Sequence, residues 1–168
     1  MLHVGVVTSG CIESERQALL EFKAAMVDDY GMLSSWNGQD CCHWNGVGCN
    51  NLTGHVQSLD YDFTENEYTS VQRFLRGKIP NSLVELQHLR YLNLSSNGFE
   101  DYHIPEFFAN FSSLRYLDLS FCDFGRRIPS QFGSISHFTY LNLYWNNLRV
   151  QSLINLGICP SCSILISI

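Results

Sequence analysis

Apolar residues recur along this chain in two periods. Between residues 13 and 27, Leu19, Phe22 and Met26 fall at helical spacing, and Ser14 followed three residues later by Gln17 has the form of a capping box. This stretch predicts an amphipathic helix. Further on the period changes. Leu89-Arg-Tyr-Leu-Asn-Leu-Ser-Ser-Asn97, Leu114-Arg-Tyr-Leu-Asp-Leu-Ser-Phe-Cys122 and Phe138-Thr-Tyr-Leu-Asn-Leu-Tyr-Trp-Asn146 are variants of one phrase, with starts 25 and 24 residues apart. Each alternates as a strand does. Leu92 and Leu94, Leu117 and Leu119, and Leu141 and Leu143 point inward, while Asn93, Asp118 and Asn142 point outward onto one face. His55-Val-Gln-Ser-Leu-Asp-Tyr61 is a degenerate earlier copy, with Val56, Leu59 and Tyr61 in the inward places.

The pattern LxxLxLxx(N/C) at this spacing is that of a leucine-rich repeat. One short strand per turn stacks into a curved parallel sheet. No turn can bury its own leucines, so its neighbours complete the core. The predicted fold class is an α/β solenoid, a right-handed leucine-rich repeat coil behind an N-terminal helical cap. From Val56 to Leu89 is 33 residues, nine more than a 24-residue turn, and the surplus in residues 64–74 predicts a protruding loop. Leu75-Arg-Gly-Lys-Ile-Pro80 then resumes the pattern. Pro80, Pro105 and Pro129 each follow an isoleucine on the return side, where they exclude regular helix and favour an extended or 3₁₀ path.

Composition adds limits. The 168 residues, 45% hydrophobic and 15% charged, suit one globular unit. A net charge of −6 without a basic run excludes a nucleic-acid partner. No run approaches a membrane span. Residues 1–10 carry a short apolar stretch without a basic start and read as a residual leader.

Seven cysteines fall in two groups: Cys11, Cys41, Cys42 and Cys49 ahead of the repeats, and Cys122, Cys159 and Cys162 within or after them. The adjacent Cys41 and Cys42 are strained against bonding each other and reach outward, Cys42 to Cys49 and Cys41 to Cys11. In the loop-entropy model these closures contribute roughly 2.5 and 3.7 kcal/mol. Zinc is the competing reading, though the cluster lacks paired CxxC spacing. Disulfides imply an oxidising compartment. Three sequons at Asn51, Asn93 and Asn110 agree with secretion and are candidate glycosylation sites, although chance supplies roughly one or two.

The outward residues are the candidate ligand-binding set: Arg90, Tyr91, Asn93 and Ser96; Arg115, Tyr116, Asp118 and Phe121; Tyr140, Asn142, Tyr144 and Trp145. Tyr91, Tyr116 and Tyr140 hold equivalent places and predict a stacked ladder, which stabilises a sheet whether or not anything binds. Phe121, Tyr144 and Trp145 are candidate interface anchors. A glycan on Asn93 would crowd this face and move binding toward the fourth repeat. Trp36 and Trp44 read as cap core. Cys159-Pro-Ser-Cys162 lacks the βαβ setting of a redox motif. Asp60 and Asp62 share a face with no partner base or pocket, and the histidines show no ligand spacing. No catalytic residue, cofactor or metal is expected.

The most specific phrases lie in the cap: Glu15-Arg-Gln-Ala-Leu-Leu-Glu-Phe-Lys23, Leu33-Ser-Ser-Trp36, Asp40-Cys-Cys-His-Trp-Asn-Gly-Val-Gly-Cys49 and Thr53-Gly-His-Val56. With LxGxIP at residues 75–80, they make residues 11 to about 148 closely resemble the extracellular start of plant leucine-rich repeat receptor-like proteins and receptor kinases. The resemblance implies a cap in which the first cysteine pairs with the second and the third with the fourth. It also implies recognition of a protein, peptide or glycan on the concave sheet in defence or developmental signalling. A co-receptor kinase joins in full-length members, and the location is secreted or at the cell surface. The cysteine doublet and the TGHV phrase lean toward kinase-lacking, elicitor-perceiving members. A secreted inhibitor of cell-wall-degrading polygalacturonases, which shares the cap, is the alternative reading, as is a non-functional truncated product.

The expected layout is a leader at 1–10, a cysteine-paired cap at 11–53, about four repeats at 54–148 and a non-repeat tail at 149–168. Arg126 replaces the repeat glycine and Cys122 the ladder asparagine, a change the family allows. The tail reads as a truncation that leaves the apolar edge of the last coil exposed.

Overall fold

The computed structural model describes residues 10–61, 73–134, 137–149 and 163–165. Helix α1 (Glu13–Ala25) buries Glu15, Ala18, Leu19 and Phe22 along one stripe, with Glu13 and Glu15 in its first turn and Lys23 in its last, as the helix dipole favours. Its N-cap is Ile12, which makes no side-chain capping bond. Ser14 lies inside the helix and is exposed, so the capping box is not formed. The start is held instead by the Cys11–Cys41 bridge and by the Cys11 N–H donating to Asp40 Oδ1 at 3.2 Å.

At Met26 the chain leaves the helix, earlier than the periodicity predicts, and forms β1 (Met26–Val27). A 3₁₀ turn (Cys41–His43) and β2 (Val47–Cys49) complete the cap, tied by the Cys42–Cys49 bridge. Trp36 and Trp44 are buried and stacked, 5.5 Å apart, with Tyr61 edge-on to Trp36 at 5.3 Å. Both indole N–H groups find carbonyls: Trp36 donates to Asn45 O at 3.0 Å and Trp44 to Asn37 O at 2.6 Å. These tryptophans are cap core, as expected.

The coil follows. In chain order come β3 (Val56–Asp60), β4 (Arg76–Gly77), β5 (Tyr91–Asn93), β6 (Gly98–Phe99), β7 (Tyr116–Asp118), β8 (Gly125–Arg126), β9 (Tyr140–Asn142), β10 (Asn147–Leu148) and β11 (Ser163–Leu165). The concave sheet runs β11-β9-β7-β5-β3-β2. Its strands are parallel except β2, which pairs antiparallel with β3. Leu59, Leu92, Leu117 and Leu141 lie in one register across it. On the return side, β1-β4-β6 and β10-β8 form two smaller sheets. Turns of 3₁₀ helix at Asn81–Glu85, Glu106–Asn110 and Ser130–Ser134 begin directly after Pro80, Pro105 and Pro129, whose fixed φ suits that path. The core is a stack of leucines filled in by Phe99, Phe108, Phe111 and Phe124.

Helix α1 packs against the turn Asn81–Glu85 on the return side, and the open edge of the first coil strand is closed by β2. The tail contributes β11, paired parallel with β9 in the register Ile164↔Leu141, so a strand covers the edge expected to be bare. The loop at 64–74 lies outside the described residues up to position 72. Phe74, at its end, packs near Tyr30 with ring centres 6.3 Å apart. The leader (Gly10 apart), Cys159 and Cys162 also lie outside the described residues.

Gly77 marks where cap meets coil. It sits at φ 137°, and a Cβ there would lie 2.3 Å from the Ala25 carbonyl oxygen. At the equivalent position two coils later stands Arg126, where β8 pairs with β10 and, among the described residues, with no cap strand. We expect Gly77→Ala to lose at least about 2 kcal/mol in urea unfolding. Gly98→Ala, whose new methyl comes nearest the flexible Arg76 side chain at 3.4 Å and otherwise lies at ordinary contact distance from Phe74 and Leu75, is expected to stay within about 1 kcal/mol of wild type.

Candidate functional site: the concave face

Each coil ends its strand with a turn whose backbone groups are left free by the sheet, and one inward-turned side chain per coil bonds to them. Asn97 accepts from the Leu75 N–H at 2.7 Å and donates to the carbonyls of Tyr61, Leu94 and Ser95. Asn146 accepts from the N–H groups of Cys122 and Phe124 and donates to the carbonyls of Leu119, Leu143 and Tyr144. Between them Cys122 donates its thiol to Leu94 O at 3.1 Å and Ser120 O at 3.3 Å. Burial pushes that thiol up to about 12, so it stays protonated and keeps its donor. The ladder runs unbroken through the cysteine.

With the turns fixed, the outward residues fall in rows. Tyr91 and Tyr116 stack at 4.3 Å and 14°, and Tyr116 and Tyr140 at 4.2 Å and 3°. Burial in this stack raises the phenols of Tyr91 and Tyr116 above the ordinary tyrosine value and keeps them as neutral donors. The next row is not open to solvent. Asn93 and Asp118 are 6% and 7% exposed, against the expectation that they face out freely. Strands stack about 4.8 Å apart, so the short side chains of this row are covered by their neighbours and drawn into local bonds. Asp118 accepts from the Ser120 N–H and hydroxyl, from Asn142 Nδ2 at 2.9 Å and from the Tyr140 hydroxyl at 3.4 Å. Asp118 and Asn142 are therefore bonded to each other across adjacent coils.

Phe121, Tyr144 and Trp145 are brought together at the far edge and remain 53%, 42% and 62% exposed. Phe121 and Trp145 stack at 5.8 Å, with Tyr144 edge-on to both. Phe121 and Trp145 hold φ of 54° and 51°, as does the equivalent Ser96 at 60°. An aromatic residue in that region carries a cost of order 1 kcal/mol, and such strain gathers at functional sites. On the opposite edge Arg90 and Arg115 sit exposed on adjacent coils, the Arg115 N–H donating to Arg90 O at 2.9 Å.

One cluster escaped the sequence reading. Glu15 of α1 is buried, accepting from the Val56 N–H at 2.7 Å and pairing with His55 Nδ1 at 2.9 Å, while His55 lies against His88 at 3.8 Å between ring centres. Glu15 and His55 stand 40 residues apart, and only their shared presence in the most specific phrases hinted at a link. Of the sequons, Asn51 and Asn110 are exposed and Asn93 is buried. The Cys11, Cys41 and Cys42 sulfurs lie close together, but all are committed to the two bridges, which leaves no thiolate for zinc. On the return side an open groove of about 640 Å³ is lined in part by Lys78, Ile104 and Phe107, with Lys78 paired to Asp101 at 2.9 Å.

Residues 12–50 match the leucine rich repeat N-terminal domain, and residues 85–101 and 113–135 match leucine rich repeat families. The chain is 46% identical over 125 residues to receptor-like protein EIX2 of Solanum lycopersicum, a match covering 73% of this chain and 12% of that protein. This chain is a leucine-rich repeat protein homologous to plant receptor-like proteins. As one such repeat protein it spans about an eighth of the length of that relative. The BIR2 ectodomain from Arabidopsis thaliana has the same fold, with a TM-score of 0.69 at 29% identity over 89% of this chain and 77% of that one. The Arabidopsis receptor kinase HAESA ectodomain, solved with an IDA peptide hormone ligand, aligns with a TM-score of 0.59 at 25% identity over 91% of this chain and 29% of that one. Ectodomains of this family are not typically enzymes. Among the described residues no helix is long and apolar enough to cross a membrane.

In this repeat protein the ladder residues differ in how much depends on them. We expect Asn97→Ala, which strips three carbonyls and one N–H of a partner, to cost about 3 kcal/mol in thermal or urea unfolding, and Cys122→Ala about half that. The Cys122 thiol is expected to resist iodoacetamide at pH near 8 in the folded protein, as a thiol pushed up to about 12 must, and to react once urea unfolds the coil. Mass spectrometry of the labelled protein checks both states.

Proposed function

We propose that this chain is the leading part of an extracellular recognition module that binds a peptide or protein ligand on its concave sheet and performs no chemistry. The observation that carries this reading is the face itself. Three coils stack Tyr91, Tyr116 and Tyr140 in register, with Arg90 and Arg115 on two of them at one edge and the exposed Phe121, Tyr144 and Trp145 at the other. Rows of that kind suit an extended chain laid across the coils, and an ectodomain of the same fold was solved with a peptide hormone. The two cap bridges support passage through an oxidising compartment and a secreted or cell-surface location. In a full-length receptor built on this cap, a co-receptor kinase would take up the signal.

Panning a display library of short linear peptides against the oxidised protein tests the proposal. We expect enriched sequences whose affinity falls about tenfold in Tyr140→Ala or Trp145→Ala and is unchanged in Lys78→Ala on the return side. A library that yields no binder, or binders sensitive only to Lys78→Ala, would overturn it.

A further inference from the structure

Where coils share one backbone, a change of side chain shows what the coil itself does not need. The turn after each concave strand carries Ser95 and Ser96, then Ser120 and Phe121, then Tyr144 and Trp145. The backbones are equivalent. The Ser96 N–H donates to Ser120 O at 2.9 Å and the Phe121 N–H to Tyr144 O at 3.0 Å, while Ser96, Phe121 and Trp145 hold φ of 60°, 54° and 51°. Serine satisfies this turn in the second coil, with Ser95 buried, and a bulky aromatic enters the same φ at greater cost. The third and fourth coils nonetheless place three large rings here and leave them exposed. Phe121 and Trp145 lie nearly parallel, 13° apart, and Tyr144 stands across them at 71° and 81°. Ring faces therefore turn in two directions around one corner, and a ring face is the negative side of the aromatic quadrupole. Asp123, two residues after Phe121, is exposed; its Oδ1 accepts from Asn147 Nδ2 at 3.0 Å, and among the described residues no cation pairs with its carboxylate. Arg127 and Arg149 come after β8 and β10, past the turn. The charge at this edge therefore favours a cationic visitor, as does the chain's excess of 16 acidic over 10 basic residues.

We propose that Phe121, Tyr144 and Trp145 form a cation subsite that receives a lysine or arginine side chain of the bound peptide, with the Asp123 carboxylate as counter-charge. The inference rests on the peptide-binding reading above and specifies the chemistry of one ligand residue. A long basic side chain lays its apolar stem along the rings and its charged head against their faces. An arginine also stacks its planar guanidinium on them. A neutral residue of the same length keeps the contact and loses the charge, so the two contributions separate by experiment.

A linear peptide display library is panned in parallel against wild type and F121S/W145S, a variant that restores at both turns the residue already present at Ser96. Wild type is expected to enrich peptides carrying lysine or arginine, and the variant is not. Selected peptides are resynthesised with that residue replaced by citrulline for arginine or acetyllysine for lysine, which keep the shape without the charge. They are titrated by fluorescence anisotropy. Loss of the charge should weaken binding to wild type about fivefold and binding to F121S/W145S less than about twofold. The melting temperature of F121S/W145S should match that of wild type. Enriched peptides without a cation, or an equal loss on charge removal in both proteins, overturn the subsite and leave the peptide-binding reading standing. A melting temperature several degrees lower in the variant does the same, because it assigns the rings to the fold. An empty selection on wild type overturns the peptide-binding reading, and the subsite with it.

Discussion

Everything in this fold depends on closing the open edge of a parallel sheet. A strand of the coil has N–H and C=O groups along both sides and leucines on its inner face, and a single coil satisfies neither. The cap solves both problems at once. β2 runs antiparallel along β3 and completes its hydrogen bonds, while Trp36, Trp44 and Val47 extend the leucine core to a closed end. The Glu15 carboxylate takes the Val56 N–H at the start of that strand and pins the helix to the coil. On the return side β1 presses onto β4 so closely that only a glycine fits at position 77.

Once the first coil is closed, each later coil is built on the one before it. The leucines supply the attraction, and the ladder of Asn97, Cys122 and Asn146 supplies the missing hydrogen bonds of the turns. Cysteine can stand in the ladder because a buried, protonated thiol still donates to a carbonyl, though less strongly than an amide. The concave rows follow from that stacking. Tyrosines one coil apart must lie ring on ring at the strand spacing, and arginines one coil apart must stand side by side whatever their charge. The face is therefore ordered by the core beneath it. It was never free to arrange its own charges.

Much of this was legible in the chain. The repeat phrase predicts the strands, their register and the tyrosine stack, because a 24- or 25-residue period leaves one way to superpose the leucines. The prolines mark the 3₁₀ turns, and the cysteine doublet cannot bridge itself. Other features were misread for reasons that can be named. Ser14 and Gln17 have capping-box spacing, but the disulfide at Cys11 and the Asp40 carboxylate fix the helix start before a serine cap is needed. Asn93 and Asp118 alternate outward, yet outward on a stacked sheet is not the same as exposed. The tail shows no leucine pattern, but Ser163–Leu165 still pairs with β9, since an open strand edge accepts any extended backbone.

What the sequence by itself determined is what repeats: the period, the inward leucines, the ladder positions and the rows that face out. These are local rules applied coil after coil, and a period in the chain becomes a period in space. What only the tertiary structure decided lies between segments far apart in the chain. The pairing of Glu15 with His55, the pressure of Ala25 on Gly77 and the burial of Asp118 all depend on how close distant backbones come. No spacing in the chain encodes that distance; the packing of the core sets it.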